Sequence, residues 1–176
     1  MSSAPKVLMA DDRRENLVAL AAILQGLPVE PVTATSGEEA LKRLLTDDFA
    51  VILLDAQMPG MDGFETAEHI KQRERTRYVP IIFLTAVDRD AHLAFRGYAA
   101  GAVDYLTKPF DPWALRAKVS VFVDLWVKNR QLTQQAARYA ALATATDHAL
   151  DCLVSGDASG AIRMLARERP GRDLVV

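Results

Sequence analysis

The sequence offers little cysteine or histidine chemistry: its 176 residues include one cysteine, Cys152, and three histidines. A single cysteine excludes a disulfide within the chain. One cysteine and three scattered histidines also do not provide the clustered ligands of a zinc site. A free cysteine is typical of a reducing compartment, so we expect a cytoplasmic protein.

Long apolar runs and an excess of positive charge are also absent. No segment approaches the roughly 18 consecutive apolar residues of a membrane span, and the opening MSSAPK lacks the pattern of a secretory signal. The 21 basic and 23 acidic side chains give a formal net charge of -2, with no local basic cluster. We therefore expect neither a membrane protein nor a nucleic-acid-binding protein.

Short apolar segments alternate with amphipathic segments along the first two thirds of the chain. This alternation predicts an α/β fold with a doubly wound, five-stranded parallel sheet and helices on both faces. The predicted strands cover 6–10, 29–34, 49–54, 81–85 and 102–106. The predicted helices cover 15–25, 36–45, 63–74 and 88–99, with Ser36 and Glu39 at capping-box spacing and Asp62 as an N-cap.

Polar side chains stand at the carboxyl ends of these predicted strands. The third strand is apolar enough to be buried on both faces, yet it ends in a carboxylate, Asp55. Asp11 and Asp12 follow the first strand, Thr85 ends the fourth, and Lys108 follows the fifth. Ligands of such sheets bind beyond the carboxyl ends of the strands, where the winding order reverses. We therefore expect all five side chains to meet at one edge.

Three neighbouring carboxylates predict a binding site for a divalent cation. Like charges repel one another, and a bound cation relieves that repulsion. Mg²⁺ prefers oxygen ligands and keeps coordination positions open for a phosphoryl group. We assign Mg²⁺ binding to Asp12 and Asp55, with Asp11 binding directly or through water and the backbone carbonyl of Gln57 as a further ligand.

The same arrangement favours covalent phosphoryl transfer to Asp55. An aspartate can attack phosphorus and form an aspartyl phosphate. The Lys108 ammonium would offset charge on the transferring oxygens, and the Thr85 hydroxyl would donate a hydrogen bond to one of them. Haloacid-dehalogenase-like phosphatases form the same intermediate but need a second aspartate two residues on, where this chain has Gln57. We therefore expect no enzyme beyond self-phosphorylation and autodephosphorylation.

The alternative is that these polar residues have only local structural roles. Asp11, Asp12 and Asp62 would each fit the N-terminus of a helix, and Lys108 would fit a solvated surface position. Neither role explains Asp55 at the end of a buried strand. The joint site is therefore the favoured interpretation.

The sequence resembles the receiver domain of two-component response regulators over residues 5–125. The acidic pair at 11–12, LLDAQMPGMDGFE around Asp55, LTA at 84–86 and AGAVDYLTKPF at 100–110 carry this resemblance. It implies a flavodoxin-like fold and phosphorylation of Asp55, with Mg²⁺, by a phosphohistidine on a sensor histidine kinase or phosphotransfer protein. It also implies that Thr85 and Tyr105 form a switch pair, in which the hydroxyl moves toward the phosphoryl group and the ring turns inward.

A long helical segment follows the receiver-like part. Between Pro112 and Gly156 the sequence has neither proline nor glycine. This predicts a helix of about 40 residues, or roughly 60 Å. Two series of mostly apolar positions recur at heptad spacing, at 115, 122, 129, 136, 143 and 150 and at 118, 125, 132, 139, 146 and 153. The pattern predicts a homodimer through a coiled coil, and Asn129 at an a-type position favours a parallel register.

The alternative for this helix is that its first half packs on its own sheet through Val119, Phe122 and Trp126, while the rest is a linker.

We divide the chain into a receiver domain at 1–125, a helical extension at 126–153 and a flexible tail, or the start of a truncated module, at 154–176. The predicted function is a phosphoacceptor signalling module that switches its conformation and dimer contacts. The alternative function is a coiled-coil scaffold that acts without phosphorylation.

Overall fold

The computed structural model describes residues 4–85 and 104–167. The predicted helix at 88–99 and the first two residues of the predicted strand at 102–106 lie outside the described residues. Within the described part, no helix is long and apolar enough to cross a membrane.

Five parallel strands form one sheet in the order β2-β1-β3-β4-β5, which confirms the predicted fold class. The strands are β1 (Lys6–Ala10), β2 (Glu30–Ala34), β3 (Phe49–Asp55), β4 (Ile81–Thr85) and β5 (Asp104–Thr107). The described helices are α1 (Arg14–Leu24), α2 (Gly37–Thr46), α3 (Gly63–Gln72), α4 (Pro112–Val154) and α5 (Ala158–Arg167). The winding order reverses between β1 and β3, so a ligand site is expected at the carboxyl ends of these two strands.

The middle strand β3 is buried along its whole length, which explains its unbroken apolar sequence. Successive side chains of a strand point to opposite faces of the sheet. Ile52 and Leu54 accordingly join a core cluster with residues of α2 and α3. Val51 and Leu53 join a second cluster with residues of α1 and α4. Described helices therefore cover both faces of the sheet around β3, and the polar end of β3 lies at the sheet edge.

The internal contacts divide the chain into two units, Met1–Val127 and Lys128–Val176. Within the first unit, Leu115, Val119 and Val123 of α4 are buried in the core, and Phe122 and Trp126 pack against it. The predicted seam is therefore wrong at its first two a-type positions, Leu115 and Phe122, because these side chains cover their own sheet.

Hydrogen bonds between two helices also hold the start of α4 in place. The Arg116 guanidinium donates to the backbone carbonyl oxygens of Ile23 at 2.9 Å and Gln25 at 2.5 Å. These carbonyls belong to the last turn and C-cap of α1, where carbonyl groups lack helical partners. Arg116 thus supplies the hydrogen-bond donors for that helix end.

The second unit contains the rest of α4 and the helix α5. Residues 158–167, within the segment predicted as a flexible tail or the start of a truncated module, form α5. Gly156, with φ 87°, ends α4 in the left-handed conformation that glycine adopts most easily. One residue later, the Asp157 carboxylate accepts a hydrogen bond from the Gly160 amide at 2.8 Å and so caps α5. The glycine and serine content thus marks a turn between two helices.

Side-chain caps begin two helices of the first unit as predicted. The Ser36 hydroxyl accepts from the Glu39 amide at 3.2 Å at the start of α2, and the Asp62 carboxylate accepts from the Glu65 amide at 2.8 Å at the start of α3. Glu39 also reaches back, but its carboxylate accepts from the Thr35 amide at 2.8 Å. The predicted capping box is therefore present with its return bond one residue earlier.

Replacing the N-cap serine, Ser36→Ala, is expected to lower the free energy of unfolding by about 1 kcal/mol, because the Glu39 amide loses its acceptor. Urea denaturation followed by circular dichroism measures this. Thr144→Ala is the control, since its hydroxyl donates to Ala140 within the same helix and caps nothing. Equal losses for the two variants would contradict the capping role of Ser36.

Candidate functional site

Two buried carboxylates lie side by side where β1 and β3 end. Ala10 of β1 pairs with Leu54 of β3, so the next residues, Asp11 and Asp55, follow in register. Asp11 is 0% exposed and Asp55 is 6% exposed. Burying two neighbouring negative charges costs free energy unless a cation lies beside them.

Lys108 provides that positive charge from the end of β5. Its Nζ donates to Oδ2 of Asp11 and to Oδ2 of Asp55, both at 2.9 Å. Its backbone amide donates to the carbonyl oxygen of Thr85 at 2.6 Å, which holds the segment after β5 against the end of β4. The following peptide bond, Lys108–Pro109, is cis. The lysine predicted from the sequence is therefore in direct contact with both buried aspartates.

The electrostatics of the pair follow from burial and from this contact. Burial raises the pKa of Asp55 above its ordinary value, and the hydrogen bonds from Lys108 and from the Gln57 amide only partly oppose the increase. Burial alone would lower the pKa of Lys108, but hydrogen bonds and attraction to Asp11 and Asp55 outweigh it, so the pKa is raised. The ammonium therefore stays charged, while the Asp55 carboxylate is more basic than a surface aspartate.

Asp12 completes an acidic cluster that fits a divalent cation. Oxygen atoms of Asp11, Asp12 and Asp55 lie within 4.8 Å of one another. Asp12 is exposed, whereas the other two are buried. A hard cation such as Mg²⁺ prefers carboxylate oxygens as ligands and keeps bound water on its open side. Three carboxylates with one of them exposed fit this preference. The residues thus fit the predicted cation on the chemistry of the donors.

A surface cleft of about 470 Å³ gives access to this edge. Asp12 and Gln57 line it together with Met58, Pro59 and Phe64. The Gln57 amide donates to Oδ1 of Asp55 at 3.3 Å, so this residue also orients the carboxylate. The ligand role of the Gln57 carbonyl stays a prediction.

The predicted switch residues are on neighbouring strands. Thr85 ends β4, directly after Leu84, the register partner of Asp55. Tyr105 on β5 pairs with Phe83 and packs, half-buried, against the core cluster that contains Phe83. Thr85 is therefore at the same sheet edge as the acids, and Tyr105 lies on the strand that carries Lys108 into the site.

Two groups near Asp11 were missed by sequence reasoning. The Asn16 amide nitrogen donates to both carboxylate oxygens of Asp11, at 2.8 and 2.9 Å, and the Arg13 amide donates to Oδ1 at 3.0 Å. Asn16 lies in the first turn of α1, five residues after Asp11. The sequence does place an amide side chain in the first helical turn after the acidic pair, and this position could have indicated a hydrogen bond to Asp11. These bonds fix the orientation of Asp11 toward Lys108.

Gly63 was also missed, although it determines how closely α3 approaches the site. A Cβ atom at this position would lie 2.1 Å from the carbonyl oxygen of Asp55 and 2.9 Å from Cα of Ala56. Both contacts are with backbone, which cannot rotate away. Only glycine therefore fits here without moving the chain that carries Asp55.

This arrangement, an acidic cluster and a lysine at the switch point of a flavodoxin-like sheet, defines a class of phosphoryl-accepting signalling domains. The chain belongs to the response regulator receiver domain family, whose sequence model matches residues 7–120. It is thus a receiver module of two-component signalling, and the phosphorylation-independent scaffold is not favoured.

Individual relatives agree with the family assignment. The response regulator PleD of Caulobacter vibrioides is 39% identical over 114 residues, which cover 65% of this chain and 25% of PleD. The alkaline phosphatase synthesis transcriptional regulatory protein PhoP of Bacillus subtilis is 35% identical over 118 residues, which cover 67% of this chain and 48% of PhoP. The chain thus spans half or less of the length of these two relatives.

Solved structures agree as well. The chemotaxis response regulator CheY4 of Vibrio cholerae superposes with a TM-score of 0.63 at 32% sequence identity. The match covers 68% of this chain and 98% of CheY4. The family model ends at residue 120, so most of the long helix α4 and all of α5 lie beyond it.

Gly63→Ala is expected to lower the free energy of unfolding by about 1–3 kcal/mol and to displace Asp55, because the new methyl group overlaps with backbone. The measurement is urea denaturation together with binding of beryllium trifluoride, a phosphoryl analogue. Gly60→Ala is the control: its φ of 76° makes alanine strained, but its Cβ would meet nothing closer than 3.8 Å. We expect Gly60→Ala to lose stability and keep analogue binding, and equal binding by both variants would contradict the role of Gly63.

Proposed function

We propose that this chain receives a phosphoryl group on Asp55 and changes its contacts with partners in response. The observation that carries the proposal is the buried Asp55 carboxylate, held at 2.9 Å by the Lys108 ammonium and flanked by two further aspartates at the switch point of the sheet. Family membership supports this role for the domain. The assignment of individual residues to roles is part of the proposal.

The transfer step uses one Asp55 oxygen as the nucleophile. The oxygen forms a bond to phosphorus while the bond between phosphorus and the donor breaks, and the electron pair of that bond leaves with the donor. For a phosphohistidine donor the leaving atom is an imidazole nitrogen. Lys108 then shares its positive charge with a phosphoryl oxygen, and the Thr85 hydroxyl donates to another.

The acidic cluster would hold Mg²⁺ through Asp12 and Asp55, with Asp11 binding directly or through water and the Gln57 carbonyl as a further ligand. When bound, the ion would neutralise charge on the phosphoryl oxygens. Asn16 and Lys108 would keep Asp11 in place through its hydrogen bonds, and the cleft beside Asp12 would admit the donor.

The response to phosphorylation would pass through Thr85 and Tyr105. A hydroxyl drawn toward the phosphoryl group would leave space that an aromatic ring on β5 could fill, and this ring already packs against the core. β5 leads directly into α4 through the segment that contains Lys108. The long helix is therefore the proposed output element.

The proposed partners are a sensor histidine kinase or phosphotransfer protein and a second copy of the chain, bound through the helical extension at 126–153. The proposed location is the cytoplasm, and the proposed catalysis is limited to self-phosphorylation and autodephosphorylation. The receiver domain is assigned to 1–125. In the described part beyond it, residues 126–154 and 158–167 are helical, and we assign no nucleic-acid contact to them.

Asp55→Asn is expected to abolish phosphorylation by acetyl phosphate and binding of beryllium trifluoride, because an amide oxygen is a poor nucleophile. Intact-protein mass spectrometry and fluorescence of the two tryptophans would measure these reactions. The exposed Asp124→Asn is the control and should react as the wild type does. Omitting Mg²⁺ should suppress both reactions in the wild type. Full phosphorylation of Asp55→Asn would contradict the proposal.

Lys108→Met is expected to make folding stability more dependent on Mg²⁺. Without the ammonium, two buried carboxylates lose their counter-charge, so the metal-free protein should lose several kcal/mol of stability. Bound Mg²⁺ should therefore raise the stability of Lys108→Met by more than it raises the stability of the wild type. Thermal unfolding of both proteins in EDTA and in about 10 mM Mg²⁺, enough to saturate a weak site, would measure the two increases. Lys42→Met, on α2, is the control. Equal Mg²⁺ effects in wild type and Lys108→Met would contradict this account.

A further inference from the structure

The part of α4 in the second unit has an apolar face that nothing in the described chain covers. Its large members are between 37% and 73% exposed, namely Leu132, Tyr139, Leu142, Leu150 and Leu153. At 100° per residue these five side chains fall within an arc of about 80°. They therefore form one continuous stripe, here called the α4 stripe.

The helix α5 covers a different side of α4. Ala149 and Ala161 are the buried apolar residues among the described residues of this unit. A cavity of about 840 Å³ is lined by both helices, including Ala145, His148 and Cys152 of α4 and Gly160 of α5. The residues of the α4 stripe do not line this cavity. Two buried alanines are too small a core for a unit of this size, so the stripe needs a partner.

Charges along α4 indicate which partner fits the stripe. Over residues 128–154 of α4 the basic side chains come first and the acidic ones last. The basic residues are Lys128, Arg130 and Arg138, and the acidic residues are Asp147 and Asp151. Two copies aligned in parallel would place like charges together. Two antiparallel copies would place each basic half beside an acidic half.

Side-chain sizes along the stripe agree with the antiparallel orientation. Parallel alignment stacks Ala136 and Ala143 on their own copies and leaves thin layers. In the antiparallel heptad register, Leu132 faces Leu150 of the partner subunit and Tyr139 faces Ala143 of the partner subunit. The large Tyr139 side chain then meets the small Ala143, which fills space more evenly than Ala143 against its own copy.

We propose that the α4 stripe binds the same stripe of a second copy of this chain in an antiparallel orientation. The inference deepens the proposed self-association through the helical extension and rests on it. It replaces the parallel register that Asn129 suggested, because the segregated charges act along the whole segment and Asn129 lies at one end of it. In this register the antiparallel pair joins the two chains through residues 129–153.

The first test measures self-association of the full chain by sedimentation velocity. The wild type should be a dimer at micromolar concentration, and Leu132→Asp combined with Leu150→Asp should weaken the dimer by roughly 100-fold or more. Gln134→Asp with Ala137→Asp, two exposed positions on the opposite side of the helix, is the control for added charge. A monomeric wild type, or a double variant as dimeric as the control, would overturn the stripe as a binding surface.

The second test determines the orientation by cysteine cross-linking. Leu132→Cys and Leu150→Cys are made separately, each with Cys152→Ser, and one carries an added tag so that mixed dimers differ in mass. Oxidation should give the mixed disulfide after the two variants are combined and no disulfide in either variant alone. Disulfides within each single variant would show a parallel pair, and a dimer without any cross-link would refute the register.

These outcomes separate the inference from the proposed function. Parallel cross-links leave self-association in place and overturn the orientation alone. A monomer overturns the self-association as well. Neither result affects the acceptor role of Asp55, which the Asp55→Asn experiment tests independently by mass.

Discussion

A single ammonium group shared by two buried carboxylates holds the functional edge of this protein together. Lys108 is 97 residues from Asp11 and 53 from Asp55 in sequence, yet its Nζ lies 2.9 Å from both. Burying carboxylates without a cation is costly, and the contacts with both aspartates outweigh the desolvation of the lysine. The parallel sheet makes this contact possible, since it brings the ends of β1, β3 and β5 to one edge.

Much of this site could be predicted from the sequence because strand ends are easy to locate. One apolar run ends at Asp55 and another ends just before Asp11, and helices alternate with these strands. This pattern is sufficient to place both aspartates at one edge of the sheet. Asn16 and Gly63 could not be found in the same way, since their roles depend on distances between elements. The helix α5 was not predicted, because glycine and serine mark helix ends as well as flexible tails.

The long helix α4 contributes to two different structures along its length. Its first turns complete the receiver core through Leu115, Val119 and Val123, and there the heptad pattern reflects packing on the chain's own sheet. Past Val127 the same periodicity continues with exposed side chains. An apolar repeat in the sequence therefore does not distinguish burial within the chain from burial against another molecule, and only the exposure of each residue separates the two.

The hydrogen bonds from Arg116 to the end of α1 link two elements that are far apart in sequence. The guanidinium satisfies carbonyl groups of Ile23 and Gln25, so the closing turn of one helix depends on the position of another. Thermodynamic linkage makes such a dependence mutual. A protein that binds α1 and alters its last turn must change the free energy of α4, and whatever holds α4 must change the affinity at α1 by the same factor.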